Sequence, residues 1–193
     1  FLSDSVSSPQ RDLSEFIERV EQHLSLNPSA GRTLGPALGK LKARLTTLQS
    51  APEIHSVKVG SGMLAIGHRP KKKALSHFRS AGVTAFLTLL SEPEGANEIG
   101  DQCRRHGIAW HWLPFDSGDP PPSARHDEIS AAFQRIREEL DCGGKVFVHC
   151  SAGIHRTGMI TLAFLRFMKY SESQADSLLN QLRPHTAENV GSQ

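Results

Sequence analysis

The stretch that most constrains this chain is KVFVHCSAGIHRTG, residues 145–158. Lys145 to His149 predicts a strand, which runs directly into Cys150. Arg156 follows after a short loop, then Thr157 and Gly158. From Thr157 to Lys169 the sequence is apolar nearly all round, which predicts a buried helix. A strand, a tight loop and a buried helix in direct succession commit the chain to helices packed on a sheet.

The flanking sequence repeats that alternation from about residue 55. His55–Val59 and Met63–Ile66 read as strands joined by the turn Gly60-Ser61-Gly62. Lys72–Ser80 reads as a helix ended by Gly82. The run Thr84–Leu90, TAFLTLL, predicts a buried central strand. Glu94–His106 reads as a helix closed by Gly107, and Ile108–Leu113 as the next strand. Pro120 to Pro122 mark a loop. Asp127–Leu140 carries Ile129, Phe133, Ile136 and Leu140 on one helical face and ends at Gly143-Gly144. Ser173–Leu182 is a last amphipathic helix, stopped before Pro184. The expected fold class is α/β, with a central, mostly parallel sheet flanked by helices. Ahead of it, Leu13, Phe16, Ile17, Val20 and Leu24, then Leu38, Leu41, Leu45 and Leu48, fall at helical spacing, with turn formers over residues 25–35. These predict an N-terminal helical extension over residues 1–51, and the second domain over 52–193. The leucine stripes need a partner surface, on that domain or on another protein.

Composition narrows the function classes. A chain of 193 residues with 38% hydrophobic residues can bury a core without disulfides. A net charge of +2 is too mild to argue for nucleic acid as a partner. The three cysteines, Cys103, Cys142 and Cys150, form no disulfide framework and fit a reducing compartment. No apolar run approaches the ~18 residues that span a membrane. The opening FLSDSVSSPQRD lacks the basic start and apolar core of a signal peptide, so the expected location is cytoplasmic.

The chemistry lies in the loop after the strand. A short loop between strand and helix can turn successive backbone N–H groups inward, forming an anion nest. The following helix adds its positive N-terminal end. Gly153 permits a backbone conformation that a Cβ would obstruct. Arg156 brings a planar fork of donors suited to two phosphate oxygens. Cys150 inside such a field should ionise readily, and the thiolate is the nucleophilic form. The implied reaction is attack on phosphorus, then hydrolysis of a phosphocysteine by water. Burial alone would explain a free cysteine, but neither Arg156 nor the glycines. No second Cys or His stands at metal-ligand spacing from Cys150.

The segment HCSAGIHRTG resembles the H-C-x5-R-[ST]-G signature of the protein tyrosine and dual-specificity phosphatases. The resemblance implies the phosphotyrosine phosphatase fold over roughly residues 55–190, and no cofactor or metal. It makes Cys150 the nucleophile and Arg156 the phosphate clamp. Ser151, Ala152, Gly153, Ile154 and His155 would line the bound phosphate. His149 would help set the loop and the thiol pKa, and Thr157 would help the sulfur leave. His155 departs from the glycine common in the family, which would narrow the pocket or contact a second anionic group. The family's general acid is an aspartate on an upstream loop. Here WLPFDSGDPPP offers Asp116 and Asp119, and the pattern D-x-G-x-P from Asp116 favours Asp116.

A phosphorylated protein or peptide is the expected partner. The short chain favours the dual-specificity type, open to phosphotyrosine and to phosphoserine or phosphothreonine. A phosphoinositide is an alternative, although Ser151, Ala152 and Ile154 bring no charge to the loop. A binding module without turnover is another, and a sulfur-transfer enzyme a third, which the ending G-x-x-R-T-G argues against. Some relatives protect the nucleophile with a second cysteine, a role open to Cys103 or Cys142. The basic run His68-Arg69-Pro70-Lys71-Lys72-Lys73 reads as a solvated helix start or as an attractor for acidic substrates. Trp110 and Trp112 read as core.

Overall fold

A computed structural model describes the backbone of residues 9–49, 54–116, 121–184 and 186. The chain divides into two compact units, residues 1–53 and 54–193. The first unit pairs helix α1 (Pro9–Leu26) with α2 (Gly31–Gln49). Glu21 and Lys42 form an ion pair, and Ile17 and Leu38 are buried. Phe16, expected on the apolar stripe, is exposed, as are Leu26 and Leu34. The turn expected over 25–35 is shorter, because Gly31, Gly35 and Pro36 all lie within α2.

The second unit is a five-stranded sheet with helices on both faces. Its strands are β1 (Ser56–Val59), β2 (Gly62–His68), β3 (Ala85–Thr88), β4 (Ala109–Trp112) and β5 (Lys145–Cys150). Their order is β1-β2-β5-β3-β4. The edge strand β1 is antiparallel, and the other four are parallel. The helices are α3 (Leu75–Ser80), α4 (Ala96–Arg105), α5 (His126–Asp141), α6 (His155–Phe167) and α7 (Glu172–Leu182).

Strand periodicity sorts the core into two layers. Leu64, Ile66, Ala85, Leu87, Val146 and Val148 pack with apolar residues of α5, α6 and α7. The alternate residues Ala65, Phe86 and Phe147 pack with Leu75 and Phe78 of α3 and Ile99 and Cys103 of α4. Both faces are therefore apolar, which is why TAFLTLL shows no alternation. Phe86 sits 5.1 Å from Phe78 and 5.2 Å from Phe147, ring centre to ring centre.

Two element boundaries move for physical reasons. The strand expected through Leu90 ends at Thr88, although Leu89 and Leu90 are fully buried. Leu89 still bonds to both neighbours just past the strand: its N–H donates to the His149 carbonyl at 2.9 Å, and its carbonyl accepts from the Phe115 N–H at 3.1 Å. The helix expected from Glu94 starts at Ala96. The Glu94 carboxylate accepts hydrogen bonds from the Ser91 N–H at 2.9 Å and the Ser91 hydroxyl at 3.2 Å. That closes a turn over 91–95, in which Gly95 takes φ +83°. The helix expected over Lys72–Ser80 opens with a 3-10 turn, Lys72–Ala74, before α3.

Replacing Phe86 with Ala should cost about 3–5 kcal/mol of stability, because it is fully buried and the cavity opens against two other aromatic rings. Urea unfolding is expected to show a lowered midpoint with little change in slope.

Candidate active site

Four parallel strands bring their C-terminal ends to one edge of the sheet, where ligands of open α/β sheets bind. Cys150 is the last residue of the central strand β5 and pairs in register with His68 of β2. The chain then turns through Ser151–Ile154 and enters α6 at His155. Gly153 takes φ +70°. A Cβ there would lie 2.3 Å from the Gly67 backbone, so the loop is pressed onto β2 and only glycine fits.

This curvature aims backbone donors at the sulfur. The Gly153 N–H donates to Cys150 Sγ at 3.1 Å. Cys150 is buried, and burial pushes its thiol pKa up. The polar groups around the sulfur, the Thr157 hydroxyl first and then the N–H groups of Gly153, Thr157 and Ile154, outweigh that, so the net direction is down. The Thr157 hydroxyl is fully buried with no hydrogen-bond partner among the described residues, and it is the largest polar influence that lowers the thiol pKa.

His149 is also fully buried, and burial drives its pKa down to about 3. It is therefore neutral, and its influence on the loop is structural rather than a positive charge. The Trp110 indole N–H donates to Thr88 Oγ1 at 3.0 Å. Thr88 in turn meets His149 Nε2 at 2.9 Å, and His149 Nδ1 lies 3.5 Å from the Cys150 carbonyl. A proton on Nδ1 satisfies the whole chain of contacts. Trp110 stacks on Trp112 at 5.8 Å, so both indoles belong to the layer behind the loop.

Arg156 joins three segments. Its Nη1 donates to Glu94 Oε2 at 2.6 Å and to the Phe115 carbonyl at 2.7 Å. Its Nη2 donates to Glu94 Oε1 at 2.7 Å and to Ser151 Oγ at 3.0 Å. Ser151 Oγ donates to Glu94 Oε1 at 2.6 Å. The Arg156 bond holds the Glu94 carboxyl far below the usual carboxylate range, and Glu94 in turn raises the Arg156 pKa. Glu94 was not singled out by the sequence. Its one local signal is S-x-x-E over Ser91–Glu94, a capping pattern that also closes turns.

The remaining expected residues take separate places. Ala152 and His155 are exposed at the loop's outer side, and Ile154 is half-buried. Asp116 is exposed and directly follows Phe115, whose carbonyl Arg156 holds. Asp119 lies outside the described residues. Arg69 follows His68, and its N–H donates to the Ser151 carbonyl at 3.1 Å, so the basic run begins beside the loop.

The second-cysteine expectation is overturned. Cys103 is buried in the opposite core layer, across the sheet from Cys150, and burial pushes its thiol up to about 12. Cys142 precedes the other end of β5, and that strand alone spans roughly 17 Å at ~3.3 Å per residue. Disulfide geometry demands Cα atoms within about 7 Å.

Comparison with known proteins points to one family and one fold. The family described as "Dual specificity phosphatase, catalytic domain" matches residues 107–193. Human dual specificity protein phosphatase 5 is 31% identical over 114 residues, covering 56% of this chain and 26% of that protein. Mouse dual specificity protein phosphatase 12 is 30% identical over 141 residues, covering 71% and 39%. The chain thus spans well under half the length of these relatives. A crystal structure of kinase associated phosphatase, its catalytic-site cysteine replaced by serine, superposes with a TM-score of 0.60. It is 19% identical, over 70% of this chain and 85% of that one, and shows the shared fold.

Alkylation of Cys150 by iodoacetamide, followed by peptide mass spectrometry, should persist below an ordinary thiol's pKa of about 8.5 and fall as pH drops through the lowered value. Thr157→Val should move that midpoint up. Glu94→Ala should weaken orthovanadate binding about 10²-fold, since it frees Arg156 to leave its position; calorimetry reads this directly.

Proposed function

The chain belongs to the protein tyrosine and dual-specificity phosphatase family, and we propose that it hydrolyses phosphomonoesters of proteins through a phosphocysteine on Cys150. The observation that carries this is a buried cysteine whose sulfur accepts the Gly153 N–H, with Arg156 held beside the same loop.

The Cys150 thiolate attacks phosphorus; the P–S bond forms and the P–O bond to the leaving group breaks. Asp116 gives that oxygen its proton, then takes one from the attacking water. Water forms a new P–O bond, the P–S bond breaks, and inorganic phosphate leaves with the thiolate restored. Thr157 stabilises the departing sulfur. Arg156 and the N–H groups of residues 151–155 hold the equatorial oxygens more tightly in the transition state than in the substrate. No step calls for a metal or organic cofactor.

Phosphotyrosine is the first substrate, with phosphoserine and phosphothreonine accepted by a shallow site. The uncharged side chains of Ser151, Ala152 and Ile154 favour a protein substrate over a phosphoinositide. The basic run that starts beside Ser151 is the one observation favouring the lipid headgroup. Exposed Phe16, Leu26 and Leu34 support a protein-contact role for the N-terminal helices.

With reductant and no added metal, the native protein should turn over para-nitrophenyl phosphate. Cys150→Ser should be inactive, and Asp116→Asn should lose about 10²–10⁴-fold in kcat. A near-native Asp116→Asn rate would move the acid to Asp119. An inactive native protein that still binds phosphopeptide would favour the binding module, and phosphoinositide turnover exceeding phosphopeptide turnover would favour the lipid reading.

A further inference from the structure

The peptide unit that aims its N–H at the sulfur, and the unit after it, are both held from behind. A trans peptide is planar, so its carbonyl points away from its N–H. The Ala152–Gly153 unit sends its N–H to Cys150 Sγ at 3.1 Å, and its carbonyl accepts from Arg183 Nη1 at 3.1 Å. The Gly153–Ile154 unit that follows is held in the same way. Its carbonyl accepts from the same Arg183 Nη1 at 3.0 Å and from Thr186 Oγ1 at 2.8 Å.

Both donors come from one short turn after α7. The Thr186 N–H donates to the Arg183 carbonyl at 3.0 Å and closes that turn around Pro184. Thr186 is fully buried, so its hydroxyl has no water to exchange for the Gly153 carbonyl. Arg183 is fixed at its root: its N–H donates to the Leu179 carbonyl. Ser171 and Gln174 cap α7, and Ala175, Leu179 and Leu182 are buried against the core.

Glycine explains why such a hold is needed. Gly153 lets the loop reach φ +70°, but with no Cβ it also permits the flanking peptide planes to rotate. A flipped plane would present a carbonyl oxygen to the thiolate and to phosphate. We propose that Arg183 and Thr186 form a clamp that selects the anion-binding orientation of the loop, making them positioning residues for the chemistry at Cys150. The clamp rests on the phosphatase reading above. It ties the state of the active site to how the segment after α7 is seated.

The test uses the full chain with Thr186→Val and Arg183→Met, and Arg183→Lys as the conservative variant. Three quantities are read: the pH midpoint of Cys150 alkylation, the Kd of orthovanadate and kcat/KM for para-nitrophenyl phosphate. The expected result is a midpoint shifted up toward an ordinary thiol, orthovanadate binding weaker by ~10-fold or more and a matching fall in kcat/KM. Arg183→Lys, which keeps a charged donor, should recover part of the loss. Thr186→Val is nearly isosteric and keeps the test readable where Arg183→Met does not fold. A native midpoint and native orthovanadate affinity in folded Thr186→Val and Arg183→Met would overturn the clamp alone. An inactive native protein with an ordinary Cys150 midpoint would overturn the phosphatase reading, and the clamp with it.

Discussion

A guanidinium enclosed by protein must have its donors met, and Arg156 meets them with three separate segments. The Glu94 carboxylate takes two of its nitrogens, the Phe115 carbonyl a third contact, and Ser151 a fourth. One side chain thereby ties the turn after β3, the start of the Asp116 loop and the loop after β5. The charge is compensated by Glu94, without which Arg156 would carry a large desolvation cost. The same pairing orients the fork beside Cys150. Three segments of the fold thus draw on one side chain.

The thiol shows the opposite balance. Burial by itself opposes ionisation of Cys150, yet the loop's N–H groups and the Thr157 hydroxyl reverse the sign. His149 adds no charge to that balance. Its ring is sandwiched in the aromatic layer, 5.9 Å from Phe147 and 5.7 Å from Phe86, and it is too deeply buried to protonate. What it contributes is rigidity, passed from Trp110 through Thr88 to the carbonyl of Cys150. The field at the sulfur is therefore built from dipoles and one nearby guanidinium.

The α/β alternation was legible because both sheet faces are covered, leaving long apolar runs between glycine and proline breaks. Boundaries were less legible where a side chain intervened. Glu94 looked like the first residue of a helix, but its carboxylate closes a turn instead. Leu90 looked like strand, because its burial is indistinguishable in sequence from that of a paired residue. Arg183 and Thr186 gave no signal at all, since a donor to a carbonyl thirty residues away leaves no local spacing to read.

The amino-acid sequence by itself determined the local chemistry: a strand delivering Cys150 into a glycine-containing loop, Arg156 at a fixed distance along it, and a buried helix behind. These are short-range relations, set by backbone geometry over about a dozen residues. Only the tertiary structure decided which distant groups complete the site. It brought Glu94 and Phe115 onto Arg156, Trp110 and Thr88 onto His149, and the Arg183–Thr186 turn onto the loop, and it set Cys103 and Cys142 apart from Cys150. Such partners are chosen by strand order and by the way each helix seats on its face of the sheet. That packing is a property of the whole core, which no single stretch of residues encodes.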